Sequence, residues 1–590
     1  MKAKVIFLVT SFIMVFLLLL TSCGQQTATT SPTTKPSTTP TTTSTTPTTV
    51  PTTIPTTTSA GTIPQYGGTL NFRVKSDPLY WDPYFGNVTV KPWYETMGMP
   101  DFTINPDIFD FTSLYQPLEY TVGRLAESWE RPDLQTTVVH VRQGVKWQDI
   151  PPLNGREFTA SDIAYYYHRK LGLGSGFTKP SPYNVGLENY ANLQSITATD
   201  KYTVVFKTKI PDIDTMTFAL ASSNLYESII AREAVEKWGD VNNWQRQIGT
   251  GPFICKDYVS GSSVTAIRNP NYWGYDPRFS SNKLPYLDEI KVLIIPDDAT
   301  AYAALRAGKV DLLDQVNWQQ SLSLLKTNPQ LQKRAAAQNA WTILMHVDTK
   351  PFDDIRVRKA MQMSLDLPTI AQTYYGGTIS SAIYGAYAMP GYFTPFDKWP
   401  QEVKDGFTYN PAGAKKLLAE AGYPSGFKFT MVASSVFDID FYQVLKSYLI
   451  DIGIDMDIQV MDNTAFTAYT QGDKHVTMGS QLTTNVSYPP MTWINQYDST
   501  HFTFRGHIKD ATYDQMWKEV KLITDAAQQK QMIIKMNDYA TAQFYRVTTQ
   551  PFNYFVIWQP WLKGYAGART VEGIMSAPTR TMWIDKSLKK

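Results

Sequence analysis

The stretch Leu125–Asp149, LAESWERPDLQTTVVHVRQGVKWQD, and the Asn154–Tyr167 stretch behind it, NGREFTASDIAYYY, decide the fold class. Thr137, Val139 and Val141 fall on one face and Val138, His140 and Arg142 on the other, which is the period of a strand. The same alternation returns in YTVVFKT from Tyr202, after turn residues Asp200 and Lys201. Helix signals are as plain. In YNPAGAKKLLAEAGYPSG, Asn410 is placed to cap a first turn, Pro411 suits the first helical position, and Gly422 with Pro424 ends the helix. Ala414, Leu417, Leu418 and Ala421 make its apolar stripe. In DIRVRKAMQMSLD, Val357, Ala360, Met361, Ser364 and Leu365 share a second helical face. Strands and helices interleave, so the class is α/β or α+β.

From about Gln65 to Lys590 the chain is long enough for more than one core. A formal net charge of +2, with 43% hydrophobic and 13% aromatic residues, gives neither a basic nucleic-acid surface nor an acidic tail. No nucleic-acid partner is therefore expected. No stretch after the N-terminus approaches the length of a membrane span.

Residues 1–22 read as a secretory signal: Lys2 and Lys4 in front, an apolar run from Val5 to Leu20, then Thr21 and Ser22. The quartet Leu20, Thr21, Ser22, Cys23 resembles the bacterial lipobox, in which the cysteine is diacylated and becomes the first mature residue. Acyl burial is worth about 0.8 kcal/mol per methylene, so two or three chains anchor stably where one does not. Cys23 is thus expected to anchor the chain on the outer face of the membrane, or in the periplasm, with no catalytic part. Residues 23–64 are almost entirely Thr, Pro and Ser and hold too few apolar side chains to fold. As extended polyproline at about 3.1 Å per residue they form a tether reaching on the order of 100 Å. The other cysteine, Cys255, lies in the strand-like GPFICKDY and reads as a buried thiol packed as a small hydrophobe.

No motif specific to an enzyme chemistry stands out. The sequence has no phosphate loop, zinc-protease helix, paired CxxC or nucleophile elbow, and it calls for no cofactor. Gly172–Phe177, GLGSGF, misses the dinucleotide spacing and reads as a loop. Six histidines, His140, His168, His346, His475, His501 and His507, are scattered, and none marks a metal site; His501 and His507, six apart, read as exposed polar side chains rather than a metal pair.

One resemblance runs along nearly the whole folded part. The chain resembles the family 5 extracellular solute-binding proteins, which serve ABC importers of peptides, nickel and some oligosaccharides. GGTLNFRV at Gly67 is similar to the family's mature start, and Leu125–Tyr167 to its two-stranded ribbon, turn and capped helix beginning near Thr159. GTGPFICKDYVSGSSVTAIRNPNYWG follows, with Gly249, Gly251, Pro252, Asn269, Pro270, Tyr272 and Trp273 in place. ALRAGKVDLL, PFDDIRVRKAMQMSLD and AKKLLAEAGYPSGF come next in the family's order. The resemblance implies an α/β, two-lobed periplasmic-binding-protein fold of the cluster C type with an extra domain inserted in the first lobe. Its expected boundaries are 65–108, 240–337 and 545–590 for lobe I, 109–239 for the inserted domain II, and 338–544 for lobe III. It also implies a monomeric, non-enzymatic receptor that captures a solute in the interlobe cleft by hinge closure and delivers it to an ABC permease with its ATPase subunits.

The chain departs from this pattern at one informative place. Peptide-binding members pair the ligand's α-amino group with an aspartate in an Asp-Tyr-x-x-Pro-like stretch; here TTNVSYPPMTW puts Ser487 before Tyr488, and no Asp or Glu occurs between Asp473 and Asp498. A buried ammonium without a carboxylate costs several kcal/mol. No His or Arg arrangement suited to a nickel chelate stands out either. Thr484, Asn485, Ser487, Tyr488, Trp493, Asn495 and Tyr497 offer aromatic faces with neutral donors, which suit an oligosaccharide or a blocked peptide. Trp341 and Trp558 are further candidates, with core packing the competing reading for each aromatic. A tethered hydrolase and a surface sensor or adhesin are the alternatives in function; the first predicts turnover, the second the absence of an importer.

Overall fold

The computed structural model describes residues 63–84, 91–105, 108–109, 111, 118–183, 187–213, 215–220, 228–379, 386, 391–482, 490–500, 506–568 and 577–589. The N-terminal signal and Cys23, most of the Thr/Pro tract, and the candidates Thr484, Asn485, Ser487, Tyr488 and His501 lie outside these residues. Among the described residues no helix is long and apolar enough to cross a membrane.

The folded part starts at β1 (Thr69–Val74). A four-stranded antiparallel sheet follows, built from β2 (Ala126–Asp133), β3 (Thr136–Val141), β4 (Leu193–Asp200) and β5 (Thr203–Thr208) in the order β2-β3-β5-β4. The alternation read in the sequence is the one observed: Thr137, Val139 and Val141 are buried, as are Val204 and Phe206 across the ladder. Between these strands helix α1 (Ala160–Leu171) starts where expected, with the Asp162 carboxylate accepting from the Thr159 amide at 2.9 Å.

A second, larger sheet takes β1 together with β6 (Phe253–Val259), β7 (Ser263–Arg268), β8 (Glu289–Ile294), β9 (Leu312–Val316), β10 (Gln332–Met345), β11 (Phe427–Ser434), β12 (Ile454–Met461), β13 (Thr477–Leu482) and β14 (Arg546–Trp558). Its order is β12-β11-β13-β10-β14-β9-β1-β8-β7-β6. β1 pairs with β8, and β11 with both β12 and β13, in parallel; the pairings of β10 with β13 and β14 are antiparallel. One apolar core runs from Leu70, Phe72 and Val292 of this sheet to Val139, Phe206 and Tyr166 of the small sheet and its helix. A separate core lies under the other half and holds Ile343, Met431 and Met456. It is closed by Val357, Ala360 and Met361 of helix α2 (Ile355–Met363) and by Ala414 and Leu418 of helix α3 (Pro411–Glu420). The Asn410 side chain accepts from the Gly413 amide at 2.8 Å, the cap the sequence announces. Cys255 lies half-buried on β6, and burial pushes its thiol up to about 12.

The glycine-rich block around residue 250 is a close-contact device. A Cβ on Gly249 would stand 1.8 Å from the Trp93 carbonyl oxygen, and one on Gly251 2.7 Å from that of Pro92. Asn269 then donates to the Gly251 carbonyl at 3.0 Å. This approach brings three chain segments around Glu95. Its carboxylate, fully buried, accepts from Arg124 Nε at 2.6 Å, Tyr272 Oη at 2.8 Å and Trp273 Nε1 at 3.0 Å. The Arg124 side chain is fully buried too. A buried pair is costly to break because the survivor keeps an uncompensated charge. Glu95→Ala is therefore expected to lower unfolding stability by about 3–5 kcal/mol in denaturant titration, while Glu236→Ala, at an exposed pair with Arg232, leaves the midpoint nearly unchanged.

Candidate functional site

Among the described residues, two strands carry the large sheet across its middle. The first part of β10, Gln332–Ala337, pairs with Asn553–Trp558 of β14, and β14 in turn pairs with β9 through Leu312 and Leu313. The later part, Ala340–Met345, pairs with β13 and with Arg546–Pro551. The ladder slips between Ala337 and Ala340 and again between Ala340 and Thr342, opposite Pro551. Proline has no amide hydrogen to donate, so a ladder carrying one at this point is weakened there. The crossing joins the two halves of the sheet through an interrupted register, and the sequence candidates lie on either side of it.

Trp341 stands next to the slip and is 5% exposed. Its ring stacks on Phe552 at 5.2 Å and 10°, and meets Tyr442 and Phe437 at its edges. The Thr549 hydroxyl donates to its carbonyl at 2.7 Å. Trp341 is thus a core residue of the second half. Trp558 ends β14 on the other side of the crossing, belongs to the core of the first half, and meets Tyr565 edge-on at 5.2 Å. Trp493 belongs to a third cluster. Its Nε1 donates to the Ala386 carbonyl at 3.2 Å, and Tyr497 Oη donates to the same oxygen at 3.1 Å.

Below Ala386 this last cluster forms an aromatic shelf. Arg546 lies over the Tyr497 ring at 5.4 Å, and its Nη2 donates to Gln496 at 3.2 Å. Tyr545 stacks near Tyr497 and donates to Asp510 at 2.7 Å, and Tyr539 donates to the same carboxylate oxygen at 2.9 Å. Burial alone would raise Asp510, but these hydrogen bonds and those from the Tyr513 and Thr512 amides outweigh it and hold the carboxyl below its usual range. The three tryptophans singled out in the sequence therefore sit in three different cores and are not brought together. Asn495 and Tyr497 join Trp493 on the shelf. Arg546 and Ala386, which complete it, carry no local sequence signal.

Residues 121–504 match the family model of bacterial extracellular solute-binding proteins, family 5 Middle. Heme-binding protein A of Haemophilus influenzae is 29% identical over 312 residues, 52% of this chain and 54% of that protein. The periplasmic oligopeptide-binding protein OppA of Salmonella typhimurium is 23% identical over 507 residues, 81% of this chain and 88% of that protein. The chain spans about half the length of heme-binding protein A and 65% of the dipeptide-binding protein of Escherichia coli. Among solved structures, HbpA2 from Haemophilus parasuis aligns with a TM-score of 0.70 at 18% identity, covering 88% of this chain and 100% of that one. DppA from Helicobacter pylori in complex with the peptide STSA aligns with a TM-score of 0.66 at 21% identity, over 88% and 99%. The fold is thus the two-lobed periplasmic-binding-protein fold.

The packing of Trp341 separates its two possible roles. Trp341→Ala is expected to destabilise the protein by about 3–5 kcal/mol in denaturant unfolding, the cost of an aromatic cavity. A change in solute affinity with stability unaltered would make it a cleft residue instead.

Proposed function

The chain belongs to the bacterial extracellular solute-binding proteins of family 5, and from that premise we propose that it is the tethered receptor of an ABC importer, holding a neutral solute between its two lobes. Members of this family are extracytoplasmic binding proteins and not enzymes. The sheet crossing at Ala340 and Pro551 supports the reading of closure about a hinge, because the register of the ladder is already interrupted there. Closing on the solute selects the form that a permease recognises.

The ligand class rests on Ser487, the residue standing where peptide-binding members carry their aspartate. Without that carboxylate a free α-ammonium loses its counter-charge, whereas a hydroxyl-rich oligosaccharide or a blocked peptide does not need one. Asn485 and Tyr488 supply amide, hydroxyl and ring groups of the matching kind. The relatives point to peptides and heme by name, which makes free-amine peptides the class to be tested against. For the anchor, the lipobox-like quartet ending at Cys23 and the Thr/Pro tract behind it support a lipid-held receptor on a long stalk.

A thermal-shift screen of oligosaccharides, di- and oligopeptides and metal chelates finds the ligand, since a compound at 100 times its dissociation constant adds about 2.7 kcal/mol to the folded state. With the confirmed ligand, calorimetry on Ser487→Asp is expected to show weaker binding, because an unpaired anion is then partly desolvated in the cleft. Tighter binding of a free-amine peptide by the same variant overturns the neutral-ligand reading. For the anchor, metabolic labelling with a fatty-acid analogue is expected to mark the wild type and not Cys23→Ala; label retained by the variant removes the lipid.

A further inference from the structure

Three of the six histidines, far apart in sequence, meet at one end of the second half of the large sheet. His346 directly follows β10, and its amide donates to the Val476 carbonyl at 2.9 Å, which draws it to His475 just ahead of β13. The next amide, of Val347, donates to the Gly506 carbonyl at 2.9 Å and brings in His507. The His346 ring stacks on His507 at 3.6 Å and 20°, and meets His475 edge-on at 4.6 Å. His346 and His475 are buried, at 4% and 3% exposure, while His507 lies towards solvent.

Two carboxylates join them. Asp473 stands 2.9 Å from His507 Nε2 and 3.5 Å from His346 Nε2. Asp348 stands 3.1 Å from His507 Nδ1 and takes an ion pair from Lys509 at 3.0 Å. One ligand atom from each of His346, Asp473 and His475 lies within 4.8 Å of the other two. Ligands around a tetrahedral Zn²⁺, with bonds of about 2.0–2.2 Å, stand about 3.3 Å apart, so small rotations of these side chains close the set.

We propose that His346, Asp473 and His475, with His507 on the open side, form a site for a divalent transition metal. The geometry around His507 carries the argument furthest. A neutral imidazole has one N–H, yet both of its ring nitrogens face carboxylates. With Nδ1–H donated to Asp348, the Nε2 lone pair and the Asp473 oxygen are two acceptors at 2.9 Å, and a cation belongs between them. That cation is either a second proton on His507 or a metal ion. A carboxylate on Nδ1 with Nε2 turned to the metal is the arrangement that fixes a ligating histidine. Imidazole nitrogens with one carboxylate suit Zn²⁺ and its neighbours, not Ca²⁺ or Mg²⁺, which take oxygen ligands.

The site is remote from the crossing. Six residues of strand separate Ala340 from His346, about 20 Å at 3.3 Å per residue. A bound ion would therefore staple the end of β10 to the turn before β13 and to the segment at His507, independently of any solute.

The test uses the untagged full-length chain, stripped with chelator and titrated with Zn²⁺. The expected result is one ion per chain retained through gel filtration, a saturable rise in the unfolding midpoint, and visible bands of tetrahedral type when Co²⁺ is substituted. Asp473→Asn, at an exposed carboxylate that leaves the core untouched, and His475→Ala are expected to lose the retained ion. Asp348→Asn, which keeps every proposed ligand, is expected to weaken Zn²⁺ about 10- to 100-fold. A wild type that takes up no Zn²⁺, a folded Asp473→Asn that titrates like wild type, or an equal response to Mg²⁺ would each overturn the site and leave a protonated histidine network in its place.

Discussion

The antiparallel pairing of β10 with β14 is the constraint on which both halves of the molecule depend. Each strand serves two neighbours in succession, and the apolar cores under the two halves are distinct. The halves are therefore joined through the ladder, with Trp318 packing against the clusters on both sides of it. The slip opposite Pro551 sits at a stretch where the ladder is already irregular and a bend disturbs little regular pairing. In the proposed receptor this makes closure a backbone event at a few residues, with each lobe moving as a packed body.

Rigidity is built elsewhere by buried charge. Glu95 is held by a guanidinium, a phenol and an indole, all drawn from segments distant in sequence. Asp311 works the same way at the other edge of β1: fully buried, it accepts from the Asn71 amide, from Trp561 Nε1 and from Lys589 Nζ. Such sites add little net stability over an apolar equivalent, but a misassembled arrangement leaves a charge unpaired. They fix which segments may meet, and in the first half they tie the C-terminal residues to the opening strand.

What could be read from the sequence was what depends on neighbours along the chain. The alternation at Thr137–Val141, the cap at Asn410 and the stripe at Val357–Met361 all follow from local periodicity, and all appear in the structure. The glycine block was legible as turn chemistry, though not the reason for it, which is the Trp93 backbone crossing at contact distance. Aromatic identity alone could not separate a cleft residue from a core residue: Trp341 and Trp558 differ in which core they fill, and that depends on the register of β10 against β14. The histidines read as scattered because they are scattered in sequence. A hydrogen-bonded ladder between β10 and β13, with the Val347–Gly506 bond beyond its end, is what gathers them, and no local pattern encodes either.

The position of β14 in the sheet has a consequence for the order of events during synthesis. It is the last strand of the large sheet in sequence, yet it lies between β9 and β10, near the middle. Until residues 546–558 have been made, β9 and β10 each present a bare edge, and the two partial sheets have no common strand. Exposed edges are templates for pairing with other chains. Non-local strands of this kind also close late, because a long loop must be ordered first. A nascent chain of this topology therefore carries two sticky, unjoined edges from the completion of β10 until β14 is made, and a truncation anywhere before Arg546 removes the bridge rather than merely shortening the protein.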